Sequence, residues 1–95
     1  MREYEMMVIL RADLSEDDLS TQIGAVQGWI EANNGTITEV DRWGRRRLAY
    51  PIERQRDGYY LLYKLNLPPA APLELERNLR INENVLRYLI VRQDE

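Results

Sequence analysis

The stretch TITEVDRWGRRRLAYPIERQRDGYYLLYKLNL, residues 36–67, decides how this chain folds. Its second half alternates, with Tyr59, Leu61, Tyr63, Leu65 and Leu67 on one side and Tyr60, Leu62, Lys64 and Asn66 on the other, because successive side chains of a strand point to opposite faces. Its first half, Thr36 to Ile52, is rich in threonine, valine and aromatic residues and reads as a long strand. A break is expected near Trp43-Gly44, since a glycine inside a strand pattern marks a bulge or bend. Pro51 has no ladder donor, which places this strand at a sheet edge. A polar turn containing Asp57-Gly58 is expected to join the halves into a hairpin.

Working outward, residues 2 to 10 form a strand whose two faces, Tyr4, Met6, Val8 and Leu10 against Glu5, Met7 and Ile9, are both mostly apolar. A helix then starts at Ser15, a capping side chain followed by Glu16, Asp17 and Asp18, whose charges suit the positive helix start. Leu14 and Leu19 occupy the staple positions around that start. Leu19, Ile23, Val26 and Ile30 form its apolar stripe, and Asn34-Gly35 supplies a left-handed stop. Beyond the hairpin, Pro68 and Pro69 end the strand, Pro72 opens a short helix bearing Leu75 and Leu79, and Val85 to Val91 read as a last strand. The order β-α-β-β-α-β predicts an α+β, ferredoxin-like split βαβ fold: a four-stranded antiparallel sheet with two helices on one face. Right-handed crossovers put the first and third strands in the middle. The 95 residues, 44% of them apolar, are expected to form one domain spanning 1–95.

Composition removes most chemistry. With no cysteine and no histidine, the chain offers no disulfide, no Cys/His zinc site, no thiol nucleophile and no imidazole base. The acidic trio at Glu16 to Asp18 is explained by helix-start electrostatics, so no metal site is expected, and without a histidine Ser15, Ser20 and the threonines have only lysine or carboxylate groups as conceivable bases. No apolar run approaches the roughly 20 residues that cross a bilayer, and the N-terminus has no signal-peptide pattern. A soluble, non-exported protein without a membrane partner is the expectation.

The net charge of −3 hides a polarised distribution. Residues 1–41 sum to −7, residues 42–56 carry six arginines against Glu53, and residues 57–95 sum to −1. Arg42, Arg45, Arg46, Arg47, Arg54 and Arg56 offer permanently charged planar donors suited to phosphate oxygens. On charge alone the run fits either RNA contact or a solvated edge strand guarded against aggregation. On a strand, Arg45 and Arg47 face opposite to Arg46.

The sheet face away from the helices should carry Met7, Ile9, Tyr60, Leu62, Leu89 and Val91, an apolar and aromatic area too large to leave in water without a partner. Such a face fits a protein partner, a homodimer or, through its aromatics, stacked RNA bases. The aromatic signature of the common RNA-recognition module is missing and the chain has no phenylalanine, which favours protein. Trp29 and Trp43 lie off the core stripes, as interface anchors or peripheral packing.

Four pieces resemble one family: Met1-Arg2-Glu3-Tyr4-Glu5, the segment from Gly44 to Ile52 (GRRRLAYPI), Gly58-Tyr59-Tyr60, and the ending from Leu79 to Val91. Together, from Met1 to about Arg92, they are similar to ribosomal protein six of the bacterial small subunit. The resemblance implies a non-enzymatic, cytoplasmic ribosome component, without cofactor or small-molecule substrate. It would bind the central domain of 16S ribosomal RNA together with ribosomal protein eighteen. The match carries Arg2, Tyr4, Arg46, Arg47, Arg87 and Arg92 over as RNA-binding candidates, to which the arginine run adds Arg45 and Arg54. Many family members continue into a polar C-terminal tail, whereas this sequence runs to Glu95, so partner contacts made through that tail are not carried over. A competing reading is a ferredoxin-like regulatory module that dimerises through its open sheet. No glycine-rich phosphate loop or convergent polar cluster supports it, and it leaves the GRRRLAYPI segment unexplained.

Overall fold

The computed structural model describes residues 1–93. Its elements run β1 (Arg2–Arg11), α1 (Glu16–Ala32), β2 (Thr36–Ile52), β3 (Gln55–Leu67), α2 (Ala71–Ile81) and β4 (Val85–Arg92). The sheet order is β2-β3-β1-β4, with every neighbouring pair antiparallel. The two most apolar strands, β1 and β3, are central as expected, and β2 with its Pro51 is an edge.

The core follows strand parity. Met6, Val8 and Leu10 of β1 and Leu61, Tyr63, Leu65 and Leu67 of β3 are buried, and Val26 and Ile30 of α1 and Ala71, Leu75 and Leu79 of α2 cover them. Both helices therefore sit on the same face of the sheet. The α1 start is as the sequence predicts: Ser15 Oγ accepts a hydrogen bond from the Asp18 N–H at 3.1 Å, with three acids in the first turn. Trp29 packs against the core periphery.

One local expectation needs correction. Asp57 and Gly58 are not a turn; they lie inside β3, paired with Arg47 and Arg46. The hairpin instead reverses at Glu53 and Arg54, with φ of 48° and 68°, between the paired Ile52 and Gln55. Positive φ at both central residues is the two-residue hairpin geometry whose twist matches the flanking strands, here adopted without glycine. Gly58 serves close approach: a Cβ there would stand 2.4 Å from Ile9 Cγ2. At the end of α1 the left-handed residue is Asn34, with φ 63°, and Gly35 is again a matter of space, since a Cβ would meet Leu67 Cδ2 at 2.6 Å.

Candidate nucleic-acid and partner-protein interface

Cross-strand register builds the uncovered face in rows. Leu62, Met7 and Leu89 form one row, Tyr60, Ile9 and Arg87 the next, and Lys64, Glu5 and Val91 flank them. Leu89 is 61% and Val91 43% exposed, beside half-buried Met7, Ile9, Tyr60 and Leu62. The six apolar positions expected on this face are thus neighbours on one surface. Trp43 joins them: its ring lies nearly parallel to that of Tyr60, at 12° and 6.2 Å between centroids. The register shift between Arg42 and Gly44, with Gly44 at φ 84°, brings it there.

The far end of the hairpin bends over this face. Between the Arg47–Asp57 and Ile52–Gln55 pairs, β2 has residues 48–51 where β3 has only Arg56. The surplus length turns Leu48 inward, to 5% exposure, and a Cβ on Gly58 would touch both Leu48 and Ile9. Leu48 therefore packs where Gly58 leaves room, a core position that its setting in an arginine run concealed. Tyr50 reaches the opposite edge strand: the Arg87 guanidinium lies 5.2 Å from its ring centroid and donates to its hydroxyl. Loop-like excess in β2 is thereby fastened to β4 across the sheet.

The arginines divide by face. Arg45 and Arg47 share the carboxylate of Asp57, at 3.2 and 3.8 Å. Arg42 donates to the Tyr59 hydroxyl at 3.1 Å. Arg46 points to the other side, its guanidinium 5.1 Å from the Trp43 ring centroid. Arg54 is exposed in the reversal. Arg2, Tyr4 and Arg92 stand elsewhere. Arg92 pairs with Tyr4 and Arg2 with Leu67 at the opposite end of the sheet, and Tyr4 packs against the core periphery. From the Tyr4–Arg92 pair to the Ile9–Arg87 pair is five residues of strand, roughly 17 Å. The eight residues singled out from the sequence thus form two groups, one at each end of the sheet.

Among the described residues, protonation is perturbed in the Arg11–Asp13 pair, where each partner favours the other's charged form, and at Tyr63. The Arg11 guanidinium hydrogen-bonds both oxygens of Asp13, at 3.2 and 3.0 Å, and holds its carboxyl below the ordinary range. Burial pushes the Tyr63 phenol up to about 12, against a small opposing effect of Arg42, and its hydroxyl has no hydrogen-bond partner among the described residues. Among the described residues, no cluster of three or more His, Cys, Asp or Glu side chains could hold a metal, and no helix is long and apolar enough to cross a membrane.

An antiparallel sheet backed by two helices, with an apolar free face and an arginine-bearing hairpin folded over it, defines a ferredoxin-like module of contact surfaces. Residues 3–92 match the family described as Ribosomal protein S6, and the chain belongs to that family. It is 45% identical to the small ribosomal subunit protein bS6 of Caldanaerobacter subterraneus subsp. tengcongensis and 46% identical to that of Thermoanaerobacter pseudethanolicus, each over the full length of both chains. The bS6 of Brucella anthropi is 41% identical across this whole chain, which spans 63% of that relative. In three dimensions the chain superposes on the crystal structure of 30S ribosomal protein S6 from Thermotoga maritima with a TM-score of 0.91, covering 97% of this chain and 87% of that one at 28% identity. Family membership makes the protein a non-enzymatic structural component of the small subunit of the cytoplasmic ribosome.

Proposed function

We propose that this protein joins the central domain of 16S ribosomal RNA through arginines of the hairpin and of β4, while its open sheet face seats ribosomal protein eighteen. The observation that carries this reading is the separation of charge from apolar area. In a chain of net charge −3, the positive charge collects on residues 42–56 along the β2 edge of the sheet, while the exposed Leu89 and Val91 of the free face stand on β4 at the other edge. Phosphate binding needs local positive charge, whatever the net balance. An exposed apolar patch of this kind is suited to a desolvated protein contact. Arg45, Arg46, Arg47, Arg54 and Arg87 form the principal RNA group, and Arg2, Tyr4 and Arg92 a second contact at the other end of the sheet. Met7, Ile9, Tyr60, Leu62, Leu89 and Val91 form the partner surface.

With a single short basic segment, RNA binding is modest alone and strengthens when the partner adds its own contacts. Filter binding to a central-domain fragment, with and without ribosomal protein eighteen, tests this. Affinity that rises with the partner supports the reading; equal affinity in both conditions contradicts it.

A further inference from the structure

Three consecutive arginines meet three different surroundings. Arg45 hydrogen-bonds the Asp57 carboxylate, and Arg47 stands at ion-pair distance from its other oxygen, 3.8 Å away, so one acid partly offsets two charges. Among the described residues no carboxylate pairs with Arg46; its recorded contact is the face of Trp43. Trp43 is itself stacked on Tyr60, which is held in the sheet opposite Ile9. The indole thus contacts both the guanidinium and the phenol ring, linking Arg46 to the open face. A cation held over a ring makes no conventional hydrogen bond to it, so the guanidinium N–H groups stay available to an oxyanion while the side chain loses rotamer freedom in advance.

We infer that Trp43 is a positioning residue of the RNA-binding surface, holding Arg46 as the preset phosphate ligand of the arginine run. This rests on the reading that the hairpin binds ribosomal RNA and adds which arginine leads and what aims it. Ordering Arg46 beforehand removes part of the entropy that a flexible arginine loses on binding.

The test is filter binding of the full chain, together with ribosomal protein eighteen, to a central-domain fragment of 16S ribosomal RNA over a range of salt concentrations. Trp43→Ala should weaken binding about two- to fivefold, as for a surface cation–π contact. Its salt dependence should stay unchanged, because no charge is lost. Arg46→Ala should lower the salt slope by about one, and the double variant should bind no more weakly than Arg46→Ala alone. Trp43→Phe, which keeps a ring, should recover most of the affinity. If Trp43→Ala loses its cooperative thermal transition, Trp43→Leu and Trp43→Phe replace it: Phe is expected to bind more tightly than Leu, and equal binding overturns the inference. Additive losses from Trp43→Ala and Arg46→Ala, or full binding by Trp43→Ala, overturn it as well. Failure of the unaltered chain to bind the fragment overturns the RNA reading, and this inference with it; binding with additive variants overturns this inference alone.

Discussion

Met6 and Met7 are adjacent, chemically identical and differently employed. Met6 is fully buried under the helices, whereas Met7 lies half-covered on the open face beside the exposed Leu89. Val8 and Ile9 repeat the contrast one step on, and Leu61 and Leu62 repeat it on β3. Side-chain type does not separate the faces; the period of two and the placement of both helices on one side do. Apolar area under the helices is already removed from water in the lone chain. Apolar area on the other face is still partly hydrated, and its transfer free energy is open to whatever partner covers it.

The largest effect that would break this comparison is in the core. Leu75→Ala should lower unfolding free energy by about 2–5 kcal/mol, through lost transfer and a cavity under α2. Chemical denaturation measures it, and a loss below about 0.5 kcal/mol would show that α2 does not seal the helix-side face.

Tyr63 sharpens the contrast through pH. It is buried on the helix side, whereas Tyr60 lies on the open one. With a phenol raised from the usual 10 to about 12 in the fold, folded and unfolded chains are alike in protonation below pH 10. Above it the unfolded chain ionises first, so stability is lost as pH climbs from about 10 to about 12, approaching about 2–3 kcal/mol for this group. Tyr63→Phe should remove that part of the alkaline loss. At neutral pH it should change stability by less than about 1 kcal/mol, since the deleted hydroxyl is unpartnered. Equal steepness of the alkaline loss in both proteins would place the hydroxyl in water.

Element order, central strands, core parity, the Ser15 cap and the bulge at Gly44 were all legible, because each rests on local spacing or a single side chain. The hairpin reversal was not. Asp57-Gly58 is the stronger turn pair by residue type, and Glu53-Arg54 adopts positive φ with residues that rarely do so. Gly58 was kept small by Ile9 and Leu48, a contact between segments far apart in sequence that no local pattern reveals. The same blindness hid Leu48 as a buried residue and the crossing of Tyr50 to Arg87. Parity correctly set Arg46 opposite Arg45 and Arg47. The aromatic beneath Arg46 and the acid between the other two depend on a bulge and a cross-strand pair. Tyr60 matters to both surfaces, since it belongs to the apolar face and supports Trp43, so its truncation cannot separate protein from RNA contacts. Leu89 can, standing on the edge strand away from that stack.

The most direct measurement therefore uses Leu89→Ala, assayed twice: for stability by denaturant melt, and for heterodimer formation with ribosomal protein eighteen by calorimetry. An exposed side chain has little to lose on its own, so unfolding should move by less than about 0.5 kcal/mol, within the usual range of surface substitutions. Heterodimer affinity should fall by about tenfold, the loss of one well-buried interface anchor. Unchanged affinity with unchanged stability would contradict the assignment of this face to the partner.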